Sequence, residues 1–250
     1  MNIKSILITT VAAGLLFSCG NETKTEDKKE AVSSSFELEK FDNSGEFSYQ
    51  VDKFGDIEVI RYKIPSWDKL TLQQKKYAYY LTMAGYAGRE IIYDQNYRHN
   101  LSIKRALEKV YTDFVGDRNS EDFQNFTTYL KRIWFANGIH HHYSNDKFKA
   151  DFSPEFLDEA LAKVNAKLSD EAKKAIFDPS YDNKKVNLSK DVDLVKASAV
   201  NFYGSDLTQK EVEDYYVSII DSKNATPVEY GLNSQLVKDE KGKLMEKTYK

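Results

Sequence analysis

The sequence predicts an α+β protein that is mainly helical with a few strands. Apolar residues recur at helical spacing in several stretches, most of them opened by a recognisable capping signal. Alternation at a period of two is confined to the neighbourhood of residues 47–64 and to the region after residue 234. A hydrophobic content of 41 %, with 13 % aromatics, is enough to build a core, so the body of the 250-residue chain is globular rather than disordered. That length allows one large domain or two small ones.

The first residues read as a processing signal. Lys4 supplies a positive start, and Ile6 to Phe17 is an apolar run too short to span a bilayer. Leu16-Phe17-Ser18-Cys19 resembles a bacterial lipobox, in which a peptidase cuts before a lipidated cysteine. The expectation is a signal peptide over 1–18, lipidation at Cys19, and a protein anchored in the cell envelope on the periplasmic or outer-membrane face. Several acyl chains on one residue give stable anchoring where one would not. The alternative is an ordinary signal peptide with an incidental cysteine. Cys19 is the one cysteine, so once it is used no disulfide can form. Residues 19–46 are polar, rich in Glu, Lys, Ser and Thr, and read as a flexible tether.

The globular part begins near Phe47. Phe47, Tyr49 and Val51 alternate, and Ile57 to Ile64 reads as a strand stopped by Pro65. Thr71 and Gln74 form a capping box for a long helix with Leu72, Tyr79, Tyr80, Met83, Ala87 and Ile91 as its stripe. Gly85 and Gly88 cost helix propensity there, which points to a second backbone packing close. A second helix from about Leu101 carries Ile103, Leu107, Val110, Tyr111 and Phe114. A third follows Ser120 with Phe123, Phe126, Leu130, Ile133 and Trp134. Ser153-Pro154 starts a helix through about Lys167, and a short one runs from Asp170 to Phe177. Tyr181 to Lys190 reads as loop, and Val192 to Phe202 is ambiguous between helix and strand. Thr208 and Glu211 open a last helix with Val212, Tyr215, Tyr216, Ile219 and Ile220. Asp239 to Gly242 then turns a terminal hairpin. One strand near residue 60 and one hairpin make a thin sheet, so the chain is expected to be incomplete, with exposed apolar surface and a tendency to associate.

The stretch from Trp134 to Phe148 holds three of the four histidines. Asn137-Gly138 fits a helix C-terminus, because both residues tolerate the left-handed conformation that closes one. If the chain beyond is extended, His140 and His142 point one way and His141 the other. Two imidazoles are fewer than the three protein ligands of a catalytic zinc, and His99 carries no HExxH spacing. A binding loop is the preferred reading, against a merely solvated one. Near-neutral charge, 36 basic against 39 acidic side chains with no basic block, argues against nucleic acid as a partner.

Three blocks together resemble the bacterial branch of the dipeptidyl peptidase III family, zinc peptidases that release dipeptides from peptide N-termini. They are Leu70 to Leu81 continuing into Gly88 to Asn96, the Asn137 to Phe148 loop, and Tyr230 to Lys238. The resemblance covers about residue 47 to the end. It implies that 47–250 is the N-terminal part of such a peptidase, an incomplete barrel-containing lobe of a two-lobed enzyme. The family's His-Glu-x-x-Gly-His motif is absent, since no histidine here is followed by glutamate. Zinc therefore belongs to the full-length enzyme, none is expected on this chain, and no catalytic residue is assigned. The partners implied are a peptide substrate, the membrane through the lipid anchor, and the missing C-terminal portion of the same protein. Tyr143 matches the family's cleft aromatic, and His142 and Asn145 join it as substrate-binding candidates by neighbourhood. The competing class is a non-catalytic, lipid-anchored binding or adhesion protein.

Overall fold

The computed structural model describes residues 47–220 and 234–248. The expected signal peptide, Cys19 and the tether lie outside the described residues, as do Tyr230 to Asn233 of the third block. Those described up to Ala78 belong to one unit, and those from Tyr79 onward to another.

The first unit contains an antiparallel hairpin of β1 (Gln50–Phe54) and β2 (Ile57–Ile60), with a bulge between Gln50 and Asp52. Gly55, at φ 56°, makes the turn that a Cβ would resist. The second strand ends at Ile60, short of the Ile64 read from the alternation. Backbone pairing closes with the Arg61 N–H on the Tyr49 carbonyl at 2.8 Å. Beyond it Phe47 lays its ring against Tyr49, under the Arg61 and Lys63 cations, so side chains replace the ladder. The Thr71–Gln74 capping box is present in both directions, at 2.9 and 3.2 Å, and starts α1 (Leu72–Asn96).

From Tyr79 onward the chain is helical with one hairpin. α2 (Asn100–Asp113) and α3 (Glu121–Ala136) follow, the latter capped by Ser120. α4 (Pro154–Lys163) ends four residues before Lys167, because Asn165 turns left-handed at φ 51°. The Ala166 and Asn165 N–H groups then close on the Leu161 and Ala162 carbonyls, satisfying acceptors the helix leaves free. α5 (Asp170–Phe177) is capped by Ser169, whose hydroxyl takes the Ala172 N–H at 3.1 Å, and α6 (Gln209–Ile219) carries the expected Thr208–Glu211 box. Val192 to Phe202 is neither helix nor strand. The Asp193 carboxylate accepts the N–H groups of Val195, Lys196 and Gln209, taking over contacts that regular structure would otherwise make. β3 (Ser234–Lys238) and β4 (Leu244–Thr248) form the expected hairpin, and Tyr203 bridges Leu236 on the other edge of β3.

Two apolar cores result. The larger joins Tyr93 and Tyr97 to α2–α5, with Phe114, Phe123, Phe126 and Phe152 in ring contact at its centre. The smaller packs Val212 and Tyr216 of α6 with Val186, Leu194, Leu207 and Leu236. The fold is thus α+β, with two separate two-stranded antiparallel sheets and no barrel among the described residues. No described helix is long and apolar enough to cross a membrane.

α1 departs from the sequence reading. Its stripe does not enter a core: Leu72, Tyr79, Tyr80, Met83 and Ile91 are all exposed, and Tyr93 alone of its residues is buried. Nor does a backbone approach the glycines, since nothing lies within 4 Å of a Cβ placed on Gly85 or Gly88.

Candidate functional site

The end of α3 is fixed from three directions. Asn137 is left-handed at φ 55° and the Gly138 N–H returns to the Ile133 carbonyl at 3.1 Å. Arg89 donates to the Asn137 side chain at 2.8 Å and to the Trp134 carbonyl at 2.7 Å, while Asn96 donates to the Asn137 carbonyl at 3.0 Å. Asn100, fully buried, links the Tyr93 carbonyl and the Ile139 N–H, each at 3.1 Å. Its amide sits where a Gly138 side chain would be, 2.1 Å from an ideal Cβ, so only glycine fits there.

The chain then forms a short irregular hairpin. His140 bridges Lys147, the His141 N–H reaches the Asp146 carbonyl at 2.7 Å, and Phe148 returns to Ile139 at 2.8 Å. The turn closes with the Asn145 N–H on the His141 carbonyl at 3.1 Å, Asn145 being left-handed at φ 63°. The His141 Nδ1 accepts the Tyr143 and Ser144 N–H groups at 3.2 and 3.1 Å, which puts its ring proton on Nε2. Residues 183–185 add a third run, through Lys147 N–H to Asn183 carbonyl and Lys185 N–H to Asn145 carbonyl.

This turn corrects the alternation read for the histidines. The chain is not extended past His141, so His141 and His142 lie side by side with ring centroids 4.6 Å apart. His140 points into the protein instead and is buried. Its Nε2 donates to the Asp182 carbonyl at 2.7 Å and its ring meets Tyr97 edge-on. Burial, with Lys147 and Lys185 nearby, pulls it down to about 4, and its Nδ1 has no hydrogen-bond partner among the described residues. The surrounding shell is polar and closed. Asp182, left-handed at φ 47°, takes the Tyr97 hydroxyl at 2.7 Å and Arg98 at 2.8 Å. Burial and that carboxylate push the Tyr97 hydroxyl far above the ordinary phenol range. Lys147 donates to the Asp178 and Tyr181 carbonyls, both at 2.5 Å, tying the hairpin to the end of α5. Its ammonium is held below the usual lysine value by burial.

Outside this shell sits a ring cluster open to solvent. Tyr143 is 73 % exposed, with its ring 4.1 Å from that of His142. Phe135, 45 % exposed on the last turn of α3, meets His142 edge-on at 5.1 Å, and Phe148 meets His141 at 5.9 Å. His142 is lowered by partial burial and by His141 and Lys185. Of the three candidates, Tyr143 and His142 are thus together on the surface. Asn145 shapes the turn with its backbone. A groove of about 360 Å³, floored by Phe148, Ile176, Phe177 and Pro179, opens beside the returning strand.

Sequence reasoning missed Phe135, Asn100, Asp182 and Lys185. Phe135 had a signal, being out of phase with the stripe of Phe123, Phe126, Leu130 and Ile133 on a helix that otherwise buries its large apolar side chains. The other three are brought in by chain distant in sequence and carry none. Among the described residues no three His, Cys, Asp or Glu side chains converge as a metal site. No protein-family model matches the chain, and no curated protein is significantly similar to it.

Proposed function

We propose that this chain is the N-terminal portion of a zinc dipeptidyl-peptidase of the dipeptidyl peptidase III type, held in the cell envelope by a lipid on Cys19. On this reading it contributes part of the peptide-binding cleft and is inactive alone. One observation carries the binding role: Tyr143 stands exposed on a turn whose base is locked by Asn100, Gly138, His140 and Lys147. A large aromatic held out on a rigid support loses little entropy on contact, as a recognition residue should.

α1 supports the wider reading. A helix apolar on two sides belongs inside a larger domain, and here it has no such cover among the described residues. Among the described residues each sheet has only two strands, which fits an incomplete barrel-containing lobe in the same way. On this reading the chain's own role is contact with the peptide.

The test uses the chain from Gly20 onward. Titration with short peptides should give saturable shifts centred on Tyr143 and His142, which Tyr143→Ala abolishes while the melting temperature stays near wild type. A large loss of stability with peptide binding intact would make Tyr143 a packing residue. One tightly bound zinc with chelator-sensitive dipeptide release would overturn the inactive assignment. A monomeric chain that binds peptide and never associates favours the competing reading, a non-catalytic lipid-anchored binding protein. For the anchor, membrane-extracted protein should carry acyl mass on Cys19, and Cys19→Ala should release it.

A further inference from the structure

Residues 183–185 run beside the hairpin, where the Asn183 carbonyl takes the Lys147 N–H at 3.1 Å and the Lys185 N–H reaches the Asn145 carbonyl at 2.8 Å. Lys184 turns to Asp146 and forms an ion pair. Lys185 lies close enough to act electrostatically on both His140 and His142. The other cations of this region are satisfied: Arg98 by Asp182 and Tyr181, Lys147 by two carbonyls, Lys184 by Asp146. Lys185 is half-buried, and among the described residues its ammonium has neither a carboxylate nor a hydrogen-bond acceptor. Burial moves it downward, and among the described residues no carboxylate opposes the shift.

A nearby depression shows what a closed site looks like. Beside Tyr86, Tyr93 and Trp134, Lys104 contacts Glu108 at 3.0 Å and Glu90 at 4.0 Å, and the Trp134 indole donates to Glu108 at 2.8 Å. Its charges answer one another and leave nothing for a ligand. Lys185 is the opposite case. A partly desolvated charge without a counter-charge is costly, and an anion docking there recovers that cost. The rings beside it belong to His142, and Phe135 and Tyr143 flank that imidazole with exposed apolar surface.

We infer that Lys185, with His142 and the exposed rings of Phe135 and Tyr143, receives a peptide carboxylate next to an aromatic or apolar side chain. The inference rests on the peptide-binding reading above and names the class of peptide it takes. A carboxylate can come from an acidic side chain or from a peptide C-terminus, and the chemistry at the ammonium is the same.

Three capped dipeptides separate these sources in a titration of the chain at low salt. Acetyl-Phe-Glu-amide carries a side-chain carboxylate, acetyl-Phe-Gln with a free C-terminus carries a terminal one, and acetyl-Phe-Gln-amide carries none. At least one anionic peptide should bind about tenfold tighter than the neutral one, as a charge-assisted contact allows. Lys185→Gln should bring all three within about twofold, and Lys185→Glu should reverse the order, both at an unchanged melting temperature. Equal affinity of wild type for all three, or discrimination that survives Lys185→Gln, overturns the carboxylate inference and leaves peptide binding standing. Failure of all three to bind overturns both.

Discussion

α1 and α3 carry the same kind of side chains and meet opposite fates. Both place large aromatic and aliphatic residues at helical spacing, yet α3 buries Phe123, Phe126, Tyr129, Leu130, Ile133 and Ala136, whereas α1 buries only Tyr93. The difference lies in how the apolar residues are arranged and in what faces them. Those of α3 form one stripe, opposed by α2, α4 and Phe152. Those of α1 wrap the helix: Leu72, Tyr79, Met83 and Tyr86 run down one side, and Tyr77, Tyr80, Leu81 and Ile91 down another. Periodicity states where side chains point. Whether anything lies opposite is a separate fact, and α1 shows how far the two can diverge.

The widest separation between the two helices should be in stability. Phe126→Ala on α3 removes a fully buried ring from the centre of the larger core and should cost about 3–5 kcal/mol in denaturant unfolding. Leu81→Ala on α1 removes a side chain that is 55 % exposed and should change stability by about 0.5 kcal/mol or less. Comparable losses would mean that α1 is packed after all and would remove the contrast.

The α3 side should also be sensitive to acid. His140 sits at about 4 in the fold, against 6.5 for an unperturbed histidine. The unfolded chain therefore takes up a proton before the folded one does, and protonation favours unfolding. The stability His140 contributes is complete above about pH 6.5 and is lost as pH falls towards 4, below which the curve levels. The gap corresponds to about 3 kcal/mol across that window. His99 and His142 are lowered too and add slope of the same sign, so His140→Gln should flatten the profile without abolishing the slope. A profile with the same slope in that variant would show that His140 is not the group responsible.

Asn100 ties the two regions together. It joins the Tyr93 carbonyl at the end of α1 to the Ile139 N–H, two residues past the Asn137 cap of α3. Asn100→Ala leaves a buried acceptor and a buried donor without partners and should cost about 2 kcal/mol. It should also raise amide exchange through residues 139–146 more than in the α4–α5 core. Uniform destabilisation without that local signature would mean Asn100 is a space-filler, not the clamp of the loop.

Much of this architecture was legible from residue types whose effect is local. The Thr71, Ser120, Ser153 and Thr208 caps, the Asn137-Gly138 stop and the Asp239–Gly242 turn each act over a few residues, and each is present. What escaped depends on chain far away. His140 is inside because Asp182 waits for its Nε2, forty-two residues on. Lys185 comes near the imidazoles because its backbone pairs with Asn145 of the hairpin, forty residues earlier. A left-handed Asn165 cut α4 short, and asparagine at that position could equally have stayed helical. The candidate site was found by its aromatic and histidine content, but the direction each ring takes was not in the spacing.

The smallest effects concern Gly85 and Gly88, and they bear most directly on what α1 is for. Each glycine costs a helix interior about 1 kcal/mol relative to alanine, through backbone freedom lost on folding. In the described chain that cost brings no packing in return, since a Cβ at either position meets nothing within 4 Å. Gly85→Ala and Gly88→Ala should therefore each raise stability by about 0.5–1 kcal/mol, read from the denaturant midpoint with an unchanged slope. If instead the glycines keep a place for another backbone, as the proposed larger enzyme implies, the same variants should weaken association with the remainder of the protein while stabilising this chain on its own. Stabilisation together with undiminished association would leave the two glycines as unexplained residues of an exposed helix. Destabilisation of the isolated chain would mean that α1 already packs against a neighbour, and the comparison with α3 would have to be redrawn.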